Sequence, residues 1–124
     1  MKKYLLFLFA LGTIHAQDSA VHDQLTNGIF ESYVTEAGNT IHTGDTLTIG
    51  IPSIDRGFRW ISQGGQHGAN FLAGKKVVVD KLKTYGNKRQ GYKMYVHFKG
   101  YGLLPVLIDY EIALRTKELE DPFK

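Results

Sequence analysis

From Tyr92 to Phe98 the chain alternates without a break: Tyr92, Met94, Val96 and Phe98 take one parity, and Lys93, Tyr95 and His97 the other, continued by Lys99. Successive side chains of an extended strand point to opposite faces, so this pattern makes a strand with one dry and one wet side. A helix would scatter the same residues around its axis. Glycine-bearing turn signals recur at about ten-residue intervals along most of the chain, the spacing of short strands joined by tight turns. A sheet-built fold follows.

Other segments fit that frame. Ile29 to Val34 has the β-branched and aromatic content of a short strand after the Asn27-Gly28 turn. Leu47, Ile49 and Ile51 alternate with Thr46, Thr48 and Gly50 until Pro52, which cannot donate to a ladder. Phe58 to Ile61 reads as another strand, and Gly64 to Gly68 as a loop. In Lys76–Tyr85 the apolar parity slips between Val79 and Leu82, which predicts a bulge near Asp80 or Lys81. Gly86 to Gly91 is a hairpin loop, and Leu104, Val106 and Ile108 form the next strand. At the end, Asp109 reads as an N-cap with Glu111 in the first helical turn, where negative charge suits the dipole. The helical stripe runs through Ile108, Ile112, Arg115 and Leu119, with Ala113 and Leu114 alongside, until Pro122. The expected fold class is mainly β: a small SH3-like or OB-like barrel, or a rolled antiparallel sheet, with a short C-terminal helix.

Lys2 and Lys3 precede an apolar run from Tyr4 to Ile14, and Ala16 stands before the polar Gln17-Asp18-Ser19. This reads as a secretory signal peptide over residues 1–16, cleaved after Ala16, because the run is shorter than the about 20 residues of a spanning helix. The expected organisation is then a flexible N-terminal arm over residues 17–28 and a single β-rich domain over 29–121, in the periplasm or the medium. With the leader gone, 13 basic residues face 12 acidic ones, so the balance argues against nucleic acid as a partner. The chain contains no cysteine, which removes disulfides, thiolate nucleophiles and Cys-ligated zinc together. No membrane span is expected in the mature chain, whose most apolar run, Leu103 to Ile108, is interrupted by Pro105.

The run Gly44-Asp45-Thr46-Leu47-Thr48-Ile49-Gly50-Ile51-Pro52-Ser53, with Phe58-Arg59-Trp60-Ile61, Lys83-Thr84-Tyr85-Gly86 and Ile108 to Leu114, resembles a group of small secreted bacterial proteins without assigned function. The resemblance spans roughly residues 40–119. It implies a compact β-rich domain and offers no catalytic or ligand-binding residue to carry over.

The sequence lacks the spacings of the common catalytic motifs. Gly74-Lys75 lacks the earlier glycine (Ala69 stands there) and the following Ser or Thr (Lys76) of a phosphate loop. His22, His42, His67 and His97 show no close ligand spacing, so neither a metal nor a cofactor is expected. Ser53 and Ser62 have no nucleophile-elbow context. Asp45, Asp55 and Asp80 sit where turns and strand ends commonly place acids.

Charge distribution carries more information. Between Lys75 and Lys99 there are eight basic residues against Asp80 alone, whereas five acids stand between Asp109 and Asp121 against Arg115 and Lys117. The wet parity of the hairpin interleaves cations and rings. Lys83, Tyr85, Lys88, Arg89, Lys93, Tyr95 and His97, with Trp60 as a further ring, are therefore the candidate binding residues for an anionic polymer or a glycan. The same lysines would also serve simply to keep strand edges from pairing, and Trp60, within the strand Phe58 to Ile61, reads first as core and as a ligand anchor only if exposed. The leading expectation is an exported, non-enzymatic binding domain whose partner is an envelope polymer or protein. The alternatives are a subunit of an exported assembly, and an envelope hydrolase or its inhibitor.

Overall fold

The computed structural model describes residues 17–124; the expected leader, residues 1–16, lies outside them. Among the described residues, ten strands and one short α-helix follow in order: β1 (Gln17–Val21), β2 (Ile29–Val34), β3 (Thr40–His42), β4 (Thr46–Thr48), β5 (Gly57–Gln63), β6 (Gln66–Ala69), β7 (Lys76–Val78), β8 (Lys81–Asn87), β9 (Gly91–Phe98), β10 (Val106–Asp109) and α1 (Tyr110–Arg115). The large sheet runs β1-β2-β8-β9-β10-β5-β6, with β3 also pairing β2, and β4 and β7 form a separate ladder. The fold is mainly β with one C-terminal helix, as expected. The sheet is rolled but not closed into a barrel, since β1 and β6 end it as edges.

The alternation of β9 explains the core. Met94, Val96 and Phe98 are buried together with Leu82 of β8, Val106 and Ile108 of β10, and Ile61 of β5. The β4/β7 ladder adds Leu47 and Val77, and α1 adds Tyr110 and Ala113. The Tyr110 ring meets Tyr33 of β2 edge-on, with centroids 5.9 Å apart.

Several local expectations change. Residues 17–28, expected as a flexible arm, supply β1, which pairs in parallel with β2 from Gln17 opposite Phe30 to Val21 opposite Val34, followed by a 3-10 turn at His22–Gln24. Ala20 is buried against the core, an anchor too small to stand out in the sequence. The parity slip after Val79 is a break rather than a bulge, because β7 and β8 belong to different sheets. Of the expected loop Gly64 to Gly68, the part from Gln66 on belongs to an edge strand, β6, against β5. Strand β4 ends at Thr48, but the alternation holds one step further, since Ile49 is buried in a bridge to Leu119; it fails at Ile51, which is 69% exposed. Gly50 is what the site tolerates there, since a Cβ would fall 2.2 Å from the carbonyl oxygen of Lys117. The helix stops at Arg115, so Leu119 reaches the core from extended chain rather than from a helical stripe.

Candidate functional site: a basic and aromatic sheet face

Register places the candidate residues. Between β8 and β9, Lys81 lies opposite His97, Lys83 opposite Tyr95 and Tyr85 opposite Lys93. Between β9 and β10, Tyr95 lies opposite Asp109 and His97 opposite Leu107, and Leu107 in turn lies opposite Ser62 of β5. Directly paired residues point to the same side of a sheet, and alternation along β5 adds Trp60 beside Ser62. Lys83, Tyr85, Lys93, Tyr95, His97 and Trp60 thus share the face opposite the core. At the far edge β2 contributes Ile29, opposite Lys83.

The rings and cations on this face touch one another. Tyr85 meets Tyr95 edge-on at 5.1 Å and lies parallel to the His97 ring within 2°. The Tyr85 hydroxyl is 3.1 Å from Nε2 of His97. Nζ of Lys83 stands 5.1 Å from the Tyr85 ring centroid, and Nζ of Lys93 5.7 Å from that of Trp60. Lys93 also donates to Oδ2 of Asp109 at 3.0 Å. The Arg59 guanidinium lies 5.1 Å from the Trp60 ring centroid. A shallow depression of about 300 Å³ opens among Ser62, Tyr85, Tyr95 and Leu107.

Burial sets the charge states. His97, expected to be wet, is only 6% exposed. Burial, and then the neighbouring Lys81 and Lys83, push its imidazole down to about 4 against the opposing pull of Asp80. It is therefore neutral at pH 7 and acts on the face by holding Tyr85, not by presenting a charge. Burial raises the Tyr85 phenol, and burial followed by the Asp109 carboxylate raises that of Tyr95. Both hydroxyls keep their protons at neutral pH.

Two candidates lie apart from this cluster. Lys88 and Arg89 are exposed at the tip of the β8–β9 turn, past the last ladder pair, Asn87 with Gly91. Trp60 proves to be half core and half surface: partly buried, it packs against the core cluster while its ring receives the two cations. Asp109 and Leu107 belong to the face although sequence reasoning passed them over. Asp109 was read as a helix cap, yet its side chain makes no capping hydrogen bond and instead meets Lys93. Continuing the alternation of β10 through Val106 and Ile108 was the signal that would have placed it.

A second polar cluster lines a hollow of about 280 Å³ between the His22 turn, β2 and α1. The Tyr33 hydroxyl donates to the Glu111 carboxylate, which also accepts the Glu36 backbone N–H at 2.9 Å. Nδ1 of His22 is 3.1 Å from the same phenolic oxygen. The only phenol proton already points at Glu111, so His22 donates from Nδ1. Arg115 pairs with Glu36 at 3.2 Å. These contacts join the N-terminal segment to the helix, and the sequence hid them because Tyr33 and Glu111 are 78 positions apart.

The remaining candidate acids are dispersed. Asp45 accepts the His42 backbone N–H, Asp80 pairs with Lys99 at 3.8 Å, and Asp55 lies on an open stretch with Arg56. Among the described residues no three His, Cys, Asp or Glu side chains gather as metal ligands would. Compared with protein families, with curated proteins and with solved structures, the chain matches none.

Proposed function

We propose that this chain is an exported, non-enzymatic binding module whose basic and aromatic sheet face holds an acidic glycan. One observation carries the reading: register interleaves Lys81, Lys83 and Lys93 with Tyr85 and Tyr95 on adjacent strands of one face. Neighbouring strands are about 4.8 Å apart, a spacing at which a cation and a ring can address successive parts of a single sugar ring and its carboxylate. Lysine supplies attraction without fixed geometry. The tyrosines supply flat apolar surface with a hydroxyl at the rim, suited to pyranose C–H surfaces. Neutral His97 holds Tyr85 in place without adding to the charge. Lys88 and Arg89 at the hairpin tip extend the positive potential that draws a polyanion in.

Retention on immobilised polygalacturonate, a uronic-acid polymer, tests this. The protein is retained at low salt and released as ionic strength rises. Replacing Lys83, Lys93 and Tyr95 together by alanine abolishes retention, while a circular-dichroism melt verifies that the variant is folded. Retention by the folded triple variant equal to that of the parent protein rejects the proposal.

A further inference from the structure

One end of the molecule carries an apolar tip that packing does not require. Leu103 is wholly exposed, at 103% of its reference area, and Leu104 and Phe71 are 55% and 59% exposed. The tip has a fixed scaffold. Tyr101 packs edge-on against Phe98, with centroids 5.7 Å apart, and lies tilted by 41° against Phe71 at 6.0 Å. The side-chain amide of Gln63 donates to the carbonyls of both Tyr101 (2.7 Å) and Leu104 (2.8 Å), clamping the loop between β9 and β10 to the end of β5. The Leu104 methyl lies so close to Gly64 that a Cβ there would stand 2.8 Å from it. The apolar side chains are therefore held outward by a hydrogen-bonded frame.

Cations stand close to these residues along the chain or at the same end of the ladder. Lys99 follows the last residue of β9 and precedes the loop; its side chain is 75% exposed, with Nζ 3.8 Å from Oδ2 of Asp80. Lys81 lies opposite His97 at the same end of the ladder. Lys75 and Lys76 follow Phe71 by four and five positions, and both are exposed.

We infer that this end docks on an anionic lipid surface, with Phe71, Leu103 and Leu104 entering the interface and the lysines meeting the headgroups. A protein partner would need a pocket shaped to take a side chain as prominent as Leu103, whereas a bilayer accepts a protruding apolar group anywhere on its surface. Tyr101, apolar in body and polar at its tip, sits behind the leucines at the depth of the interface, where such rings are favoured. Cations beside the inserted groups are what an anionic leaflet attracts. Its apolar anchors, Phe71, Leu103 and Leu104, lie outside the glycan face, with which it shares Lys81, and it stands without that reading.

The test is flotation of the purified protein with vesicles of phosphatidylcholine containing a quarter phosphatidylglycerol, at low salt. The parent protein floats with these vesicles. Leu103→Asp, at a position with no packing to lose, reduces the bound fraction tenfold or more. Lys99→Glu reduces it several-fold, and the folded triple variant of Lys83, Lys93 and Tyr95 keeps at least half of it. Failure of the parent protein to float overturns the inference, as does undiminished flotation of Leu103→Asp. A dimer in sedimentation that Leu103→Asp dissolves overturns it too, because a second copy would then be the occupant of the tip.

Discussion

The carboxylate of Glu118 accepts the backbone N–H of Trp60 at 2.7 Å, so a residue beyond the helix completes the hydrogen bonding of β5. Its other oxygen takes the backbone N–H of Arg59 at 2.7 Å, that of Ser53 at 3.2 Å, and the Ser53 hydroxyl. The amides of Arg59 and Trp60 lie before β5 begins its pairing with β10 at Ile61, in the stretch where the β5–β6 register shifts. Glu118 is 0% exposed, and its position sets the entry of β5, hence the placement of Trp60 on the candidate face.

Glu118→Gln turns one of those acceptors into a donor facing buried N–H groups. Stability should fall by about 2–3 kcal/mol, the scale of losing buried hydrogen bonds to a charged acceptor. Urea denaturation measures it. A loss below about 0.5 kcal/mol, no more than an ordinary surface substitution causes, would show that the amides of Arg59 and Trp60 do not depend on this carboxylate.

Lys117 has φ of 65°, the left-handed conformation that follows a helix end and that glycine occupies without a Cβ penalty. Its side chain is exposed, so little packing is at stake. Lys117→Gly should stabilise the fold by about 0.5–1 kcal/mol, the left-handed strain relieved less the extra freedom of an unfolded glycine. Thermal melts of the two proteins decide it, and a lower midpoint for the glycine variant refutes the expectation.

The Tyr110 hydroxyl is buried with no hydrogen-bond partner among the described residues. An unmet buried donor costs about 1–3 kcal/mol. Tyr110→Phe keeps the edge-on packing against Tyr33 and removes the hydroxyl, so it should raise stability by about 1 kcal/mol. Chemical denaturation curves with equal slopes provide the comparison; a destabilised phenylalanine variant would mean that the hydroxyl is satisfied in solution.

Local signals were legible in the sequence and pairings between distant segments were not. Strand β9 announced itself because one of its faces is dry along its whole length, and the same alternation placed Lys93 and Tyr95 beside each other's partners on β8. The break at Val79–Asp80 looked like a bulge because a slip of parity has the same appearance whether a strand is kinked or the chain changes sheets. His97 has the parity of a wet position, yet Tyr85, Leu107 and its other neighbours cover it, which parity alone does not convey. β1 was missed because Gln17 to Val21 is polar at an edge and is fixed mostly by backbone pairing. Glu118 and Glu111 look like solvated acids of an acidic tail; only the fold reveals that the amides and hydroxyls they accept come from residues more than fifty positions away.

The depressed imidazole of His97 makes stability depend on pH in a defined window. The unfolded chain binds a proton near the ordinary pKa of 6.5, whereas the folded protein resists until about 4, so between these values the unfolded state holds more protons. Stability contributed by neutral His97 is complete above about pH 7 and declines as pH falls through 6.5 toward 4. The expected loss is on the order of 2–3 kcal/mol across that window. His97→Gln, which does not titrate there, should flatten this part of the profile in urea titrations at pH 7, 6, 5 and 4. Parallel profiles for the two proteins would show that His97 does not carry the proton linkage.

Lys93 and Asp109 join the candidate face to the hollow behind it, and their burial is unequal: the Lys93 side chain is 57% exposed and that of Asp109 only 7%. Lys93→Ala leaves a nearly buried carboxylate without its cation, whereas Asp109→Asn leaves a lysine free to turn to water. The alanine substitution should therefore cost more, about 1–2 kcal/mol after allowing for the screening that the exposed ammonium already experiences. Asp109→Asn should cost less than half as much, and adding it to Lys93→Ala should recover part of the loss. The double-mutant cycle isolates the pair, with a coupling of about 0.5–1 kcal/mol expected. If the two substitutions are simply additive, Lys93 is not held by Asp109, and its place over the Trp60 ring needs another cause.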